Sequence, residues 1–155
     1  MKYVKFLFIA ILFLASISSS QAAKLEWNSF EGDFLSLSNY QGKVVVVTFW
    51  ATYCTPCHRN LQNLKKLYPL YKDQGFEVIA ISLDDNEEVV TQHMHKLDVN
   101  FPVTLKAYTS GSKMLQNVMG TPTNYLIDRQ GNIVKKQFGL MSYENLQQNW
   151  IKPII

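Results

Sequence analysis

The chain has 155 residues, of which 47% are hydrophobic and 17% are charged, and its 15 basic and 12 acidic side chains give a net charge of +3. This length is enough for one domain with a buried core. So small an excess of positive charge gives no support for binding to nucleic acid or to a membrane surface.

The first 22 residues have the pattern of an export signal. Two lysines precede an unbroken apolar run from Phe6 to Ala15, and Ser20 and Ala22 are small residues at the positions that a signal peptidase reads. We therefore predict cleavage after Ala22 and a periplasmic or otherwise exported mature domain, residues 23–155. A retained membrane anchor is the alternative, although the apolar run is shorter than the about 20 residues that span a bilayer. Without the two leader lysines, 13 basic side chains face 12 acidic ones, a net charge of +1.

The first part of the mature chain predicts strands followed by a helix. Residues 24–43 are mixed in character, with Phe34, Leu35 and Leu37 and a turn at Gly42-Lys43, which indicates a short strand pair that covers the edge of a sheet. The β-branched run Val44–Trp50 predicts a buried strand. Leucines and tyrosines on one face predict a helix over Thr55–Tyr71, which Pro69 should kink or end and which Gly75 closes.

The later elements alternate in type. They are a strand Phe76–Leu83, a helix Glu87–Leu97, a short strand Phe101–Leu105, a short helix Lys113–Met119, strands Thr123–Asp128 and Ile133–Phe138, and a helix that Ser142 caps and that ends near Ile151. We interpret Asp84 and Asp85 as a cap of the second helix and residues 109–112 as a loop. The order predicts an α/β fold with a mixed central sheet flanked by helices.

Two cysteines lie where the buried strand passes into the first helix, in the segment Trp50-Ala51-Thr52-Tyr53-Cys54-Thr55-Pro56-Cys57. Unpaired N–H groups and the positive dipole at a helix start stabilise a thiolate on Cys54, and the thiolate is the form that attacks a disulfide. A structural bridge would close a very small loop and gain little stability. The spacing therefore favours redox cycling over a structural role.

We predict no metal site and no cofactor. Zinc would need two ligands besides the cysteines, and the histidines of the chain are His58, His93 and His95. The last two, with Met94, Met114 and Met119, raise the alternative of copper. However, a spacing of two on a helix separates side chains by about 200°, and methionine commonly fills cores.

Four further motifs accompany the CxxC segment. They are Gly42-Lys43 before the buried strand, Ile81-Ser82-Leu83-Asp84 at the end of the next one, Phe101-Pro102-Val103, and the stretch from Gly120-Thr121-Pro122 through Leu126-Ile127-Asp128-Arg129-Gln130-Gly131. Together they resemble the thioredoxin-like superfamily, and within it the exported TlpA/ResA branch. The resemblance implies a thioredoxin-like fold over nearly all of the mature chain, with an N-terminal strand extension and an inserted αβ element.

The resemblance also implies roles for site residues. Cys54 is the exposed nucleophile, Cys57 is the buried resolving thiol, and the two form a redox-active disulfide. Pro122 is a cis proline beside that disulfide, and Thr121 presents its backbone to a bound peptide. The expected substrate groove consists of Pro122, Thr121, Tyr53, Thr55 and Pro56.

The sequence departs from the family pattern near the resolving cysteine. Asn60 stands where an acidic residue is common, Gln62 where a proline is common, and Thr48 where classical thioredoxins bury an acid. We therefore predict that no carboxylate lies within hydrogen-bond reach of the Cys57 sulfur. Replacing Asn60 by glutamate should then supply a proton acceptor, unless Asp84 or a neighbour takes that place.

The expected activity is reduction of protein disulfides by an exported, monomeric thiol–disulfide oxidoreductase. No positive charge stands between the cysteines, whereas dedicated oxidants often carry a histidine there. Electrons would come from a membrane-embedded thiol reductant, and the family indicates service in cytochrome c maturation or copper-site assembly. The alternatives are a disulfide oxidase or isomerase, and a copper(I) metallochaperone that uses both thiols as soft ligands.

Overall fold

The computed structural model describes residues 23–155, so the predicted leader lies outside the described residues. The strands are β1 (Glu26–Asn28), β2 (Phe34–Ser36), β3 (Val44–Trp50), β4 (Phe76–Ser82), β5 (Val103–Leu105), β6 (Thr109–Ser110), β7 (Thr123–Ile127) and β8 (Ile133–Phe138). The helices are α1 (Thr55–Tyr71), α2 (Glu87–Leu97), α3 (Lys113–Gln116) and α4 (Tyr143–Asn145), which continues in π-helical form over Leu146–Ile151. Within this part of the chain, no helix has the length and apolar character required to cross a bilayer.

The central sheet has five strands in the order β5-β4-β3-β7-β8. Strands β3, β4 and β5 run parallel, while β7 and β8 are antiparallel to their neighbours. All seven residues of β3 are buried, because both faces of the sheet are covered. Val44 and Val46 pack with α1 and the C-terminal helix in one hydrophobic cluster. Val45 and Val47 belong to a second hydrophobic cluster, on the opposite face of the sheet. The predicted mixed sheet flanked by helices is confirmed.

A second, small sheet forms at the N-terminal side. Strands β1 and β2 pair as predicted, but β6 joins them as a third strand, so the interpretation of residues 109–112 as a plain loop was wrong. Two residues are too few to show an alternating pattern. The Thr104 hydroxyl donates to the carbonyl oxygen of Asn28 at 2.8 Å and ties this sheet to the edge strand β5.

Helix α1 does not end at Pro69 but continues to Tyr71. Proline has no N–H to donate to the carbonyl one turn earlier, which belongs to Lys65. That carbonyl oxygen instead accepts a hydrogen bond from Nδ2 of Asn100 at 3.3 Å. A partner from outside the helix therefore replaces the missing bond, and the chain turns away at Gly75, which has a φ of 85°.

Helix α2 and strand β8 have the predicted bounds, several other elements are shorter than predicted, and one cap differs. Strand β5 begins at Val103, and α3 ends at Gln116. Asn86 caps α2, with Oδ1 accepting from the Val89 N–H at 3.1 Å, so the assignment of Asp84 and Asp85 as the cap was wrong. Asp84 has another role, in the site.

The strand directions bring the predicted site segments to one end of the central sheet. Residues 51–54 follow the carboxyl end of β3, and residues 83–86 follow the carboxyl end of its parallel neighbour β4. On the other side of β3, Thr123 at the start of β7 is opposite Phe49. The loop that precedes β7 therefore lies beside the cysteine segment.

Candidate active site

The two cysteines form a disulfide at the start of α1. Their sulfurs are 2.08 Å apart and their Cα atoms 5.2 Å apart. Cys54 is the N-cap residue with extended backbone, and Pro56 lies in the first turn, where a helix does not need its N–H. The Cys57 N–H donates to the Cys54 carbonyl oxygen at 3.0 Å. The Cys54 sulfur thus lies at the start of the helix near the surface, and the Cys57 sulfur lies one turn further along the helix, in the interior.

The two cysteines differ in access to solvent. Cys57 is completely buried, whereas Cys54 keeps 7% of its surface exposed, less than the open position that the sequence indicated. Tyr53 is 79% exposed, and Thr55 and Pro56 are exposed as well. A partner therefore meets Cys54 first, within a frame of exposed side chains.

The loop before β7 forms the adjacent wall. The Thr121–Pro122 peptide bond is cis. The Pro122 carbonyl oxygen accepts from the Gly139 N–H at 2.8 Å, and the Thr123 hydroxyl donates to the Gly120 carbonyl oxygen at 2.6 Å. Among residues 23–155, the backbone of Thr121 takes part in no hydrogen bond. This residue is half-buried, so its backbone is available to pair with an extended peptide.

Two exposed apolar side chains lie on this wall. Met119 is 96% exposed and Phe138 is 67% exposed. The Phe138 ring packs against Gly120 so closely that a Cβ on that glycine would lie 2.9 Å from Cε2 of the ring. Phe138 therefore connects strand β8 to the loop that contains the cis proline.

Thr52, two residues before Cys54, is anchored by Asp84. The carboxylate accepts from the Thr52 N–H at 2.9 Å and from the Thr52 hydroxyl at 2.7 Å, and it also accepts from the Ser82 hydroxyl at 2.6 Å. Burial opposes the charge of Asp84, but these hydrogen bonds together hold the pKa of its carboxyl below the usual value. The ionised Asp84 thus fixes the loop that carries the nucleophile.

The Thr52 carbonyl is held from the opposite side by a pair of histidines. Nε2 of His58 lies 2.9 Å from the Thr52 carbonyl oxygen and also 2.9 Å from Nε2 of His93. The His93 ring lies beside Trp50, which is fully buried in the core as expected, with centroids 6.0 Å apart. Burial, followed by the electrostatic influence of His58 and of Lys96, lowers the pKa of His93, which Asp84 partly offsets.

A neutral polar cluster occupies the positions where an acid was expected. Asn60 is fully buried, and its Nδ2 donates to Oδ1 of Asn124 at 2.8 Å and to Oγ1 of Thr48 at 3.2 Å. Its Oδ1 accepts from the Met141 N–H at 3.1 Å. The prediction that no carboxylate reaches Cys57 stays a prediction, with Asp84 now placed on Thr52.

The sequence reasoning missed the anchors of Thr52 and the contribution of Asn124. The signal for Asp84 was its position two residues after the end of β4, since the carboxyl ends of parallel strands meet at one edge. Of the residues that raised the copper alternative, Met114 is buried in the core and His93 faces His58. The described part of the chain contains no group of three or more histidine, cysteine, aspartate or glutamate side chains placed to hold a metal.

Comparisons with known proteins agree with this geometry. Residues 21–148 match the family model described as Redoxin. The chain is 36% identical over 119 residues to the thiol-disulfide oxidoreductase ResA of Bacillus cereus, covering 76% of this chain and 67% of the relative. It is 31% identical over 140 residues to the ResA of Halalkalibacterium halodurans, covering 88% and 78%.

A solved thiol:disulfide interchange protein from Chlorobium tepidum, of the thioredoxin family, superposes with a TM-score of 0.73. It is 21% identical, and the match covers 86% of this chain and 94% of that one, which shows the shared fold. Fold, disulfide and relatives define a thiol–disulfide oxidoreductase with a thioredoxin-like fold. The chain belongs to the Redoxin family and is a TlpA/ResA-like member of the thioredoxin superfamily.

Proposed function

We propose that this protein is an exported reductase of protein disulfides, with Cys54 and Cys57 as the two-electron carrier. The observation that supports it best is the asymmetry of the pair, since Cys54 keeps some exposed surface and Cys57 keeps none. An attacking thiol needs access, and a resolving thiol needs only to reach its neighbour. The position at the helix start also favours the Cys54 thiolate.

The reaction consists of two exchanges. The Cys54 thiolate attacks one sulfur of a substrate disulfide, the substrate S–S bond breaks, and the second substrate sulfur leaves as a thiolate that takes up a proton. The Cys57 thiol then loses its proton and attacks Cys54. This step forms the Cys54–Cys57 disulfide and releases the first substrate sulfur, so two electrons pass to the substrate.

The substrate groove consists of the exposed frame and the adjacent loop. An extended peptide pairs with the free backbone of Thr121 as a short added strand, next to Pro122. Tyr53, Thr55 and Pro56 line the other side, where they surround Cys54. Main-chain pairing of this kind accepts many sequences, which suits an enzyme that acts on protein disulfides.

Residues 1–22 form a signal peptide that is cleaved after Ala22, and residues 23–155 are the working domain. An oxidising compartment favours disulfides over thiols. A reductase that works there must therefore receive its electrons from outside that compartment. We assign that supply to a membrane-embedded thiol reductant. The reduced substrates belong to cytochrome c maturation or to copper-site assembly. The protein acts as a monomer, and it uses neither a cofactor nor nucleic acid.

The reduction potential of the Cys54–Cys57 pair, measured by equilibration with glutathione, tests the direction of electron flow. We expect a value near that of thioredoxin, about −270 mV, and a value near −120 mV would instead make the protein an oxidant. Copper content of the reduced, purified protein is measured in parallel. One copper per chain without thiol activity would replace the reductase by a metallochaperone.

Cysteine variants test the two roles separately. Cys57→Ser should accumulate a mixed disulfide between Cys54 and the substrate, because only the first exchange remains. Cys54→Ser should be inactive and trap nothing. Non-reducing gel electrophoresis after incubation with a protein disulfide distinguishes the two results. Trapping by Cys54→Ser and not by Cys57→Ser would reverse the assignment.

A further inference from the structure

His58 connects helix α2 to the loop that carries Cys54, because its Nε2 contacts both the Thr52 carbonyl oxygen and His93. The Thr52 carbonyl oxygen can only accept, so Nε2 of His58, at 2.9 Å, must carry the proton between them. Nε2 of His93 lies at the same distance from that His58 nitrogen and must then present its lone pair. This arrangement requires a neutral His93, with its own proton on Nδ1.

Protonation of His93 is incompatible with the arrangement. Nε2 of His93 would then carry a hydrogen that points at the N–H of His58. The clash is relieved when His58 moves its proton to Nδ1 and accepts from His93, but Nε2 of His58 then has no hydrogen left for the Thr52 carbonyl. One protonation on α2 therefore releases one of the three anchored atoms of Thr52.

We propose that His58 and His93 are positioning residues for Cys54, and that together they form a pH-dependent latch on the Thr52 carbonyl. The latch rests on the proposed function in that it acts on the loop of the attacking thiol. Asp84 holds the N–H and hydroxyl of Thr52 at the same time. The loop is thus fixed on one side by the Asp84 carboxylate and on the other by a histidine pair whose hydrogen bonding changes when His93 is protonated.

The surroundings of His93 decide at which pH it takes up its proton. His93 is faced by His58 from α1, by Asp84 after β4, by the Trp50 ring from β3, and by Lys96 on its own helix. Burial above all, together with the positive charge of Lys96, lowers the pKa of His93 below the ordinary 6.5, against the pull of Asp84. The latch is therefore closed above pH 6.5 and opens as the pH falls through the lowered value.

Nitrogen NMR of the full-length wild-type chain tests the latch directly. We expect His58 to be protonated on Nε2 at pH 8 and to change to Nδ1 as His93 takes up its proton, with one shared midpoint below pH 6.5. A His58 ring that keeps its Nε2 proton through the titration of His93 would overturn the proposal. This measurement does not depend on any variant folding.

Alkylation of Cys54 by iodoacetamide, in the reduced full-length chain, tests the effect on the thiol. Beyond the inflection of the thiol itself, we expect a second inflection at the midpoint of His93. His93→Phe, which keeps a ring beside Trp50, should abolish that inflection. His95→Phe, on the exposed part of the same helix, should retain it.

His58→Gln is the rescue variant. Its amide can donate to the Thr52 carbonyl but does not titrate, so it should react like the wild type at pH 8 and lack the second inflection. Survival of the inflection in His93→Phe or His58→Gln, or its loss in His95→Phe, would contradict the proposal. Alkylation needs no protein substrate, so an intact latch in a chain without reductase activity would overturn only the proposed function.

Discussion

At the scale of single residues, Asn60 shows what the sequence could and could not predict. A neutral residue at a position that is often acidic was visible in the sequence. Its partners were not, because Asn124 and Met141 are 64 and 81 residues away along the chain. The sequence therefore did not show that a glutamate at position 60, expected to accept the proton of Cys57, would have to fit into a closed hydrogen-bond network. One extra methylene in a fully buried, satisfied site costs about 1–3 kcal/mol.

Aspartate has the shape of asparagine and fits this site better. In Asn60→Asp, the Met141 N–H, the Thr48 hydroxyl and a turned Asn124 amide can all donate to the carboxylate. Asn60 lies one helical turn after Cys57, so the new carboxylate can accept the proton of the resolving thiol. We expect faster turnover at neutral pH and no change at high pH, where the thiol ionises unaided.

Turnover of Asn60→Asp is measured from pH 6 to pH 9 against a protein disulfide. Lys66→Gln lowers the net charge by the same unit at an exposed position of the same helix and is the matched control. Profiles that coincide for Asn60→Asp and the wild type would show that proton transfer from Cys57 does not limit the reaction.

Asp84 is the second residue whose role the sequence did not show, since a helix cap and a loop anchor use the same side chain. Because the pKa of Asp84 is lowered in the fold, its stabilisation is present above the ordinary value of 3.8 and is lost as the pH falls through the lowered value. Asp84→Asn should reduce the free energy of unfolding by about 2 kcal/mol at pH 7, the usual contribution of hydrogen bonds to a charged group.

Urea unfolding at pH 7 and below pH 3.8 measures this difference, which should shrink in acid. Asp85→Asn removes a neighbouring exposed charge and should leave the stability nearly unchanged. An equal loss in both variants would show that the anchor on Thr52 contributes nothing specific.

At the scale of elements, long and strongly patterned segments were predictable, and short ones were not. Strands β3 and β4 and helices α1 and α2 followed from apolar runs and periodicity over seven residues or more. Strand β6 has two residues and exists only because β1 is beside it. The continuation of α1 through Pro69 depended on Asn100, a loop residue that no local pattern connects to the helix.

The contact between β8 and the loop before β7 makes a prediction at this scale. Gly120→Ala should displace the Phe138 ring, because the added Cβ would lie 2.9 Å from it. We expect a higher KM for a protein disulfide and little change with a small-molecule disulfide, which does not need the loop.

Adding Phe138→Ala to Gly120→Ala removes the collision. If steric displacement is the cause, KM for a protein disulfide should rise less in the double variant than the two single variants together would predict. Strictly additive effects would instead assign Gly120 and Phe138 independent roles. Circular dichroism confirms that all three variants remain folded.

At the scale of the whole molecule, the two ends of the central sheet do different work. The disulfide, the Thr52 anchors and the cis-proline loop lie at the end where β3 and β4 finish. The opposite end is closed by Arg129, whose guanidinium donates to the carbonyl oxygens of Gly42 at 2.7 Å, Gln74 at 3.1 Å and Ile155 at 2.9 Å. The disulfide and the hydrogen bonds of Arg129 thus lie at opposite ends of the central sheet.

The N–H of Ala23 donates to the carbonyl oxygen of Gly131 at 2.8 Å, in the turn that joins β7 and β8. This turn is at the closed end, so anything attached ahead of Ala23 joins the domain at the pole opposite to the disulfide. A support coupled there, whether a resin, an electrode or a lipid bilayer, leaves the reactive face turned outward. Attachment at this point therefore keeps the groove around Cys54 directed away from the surface.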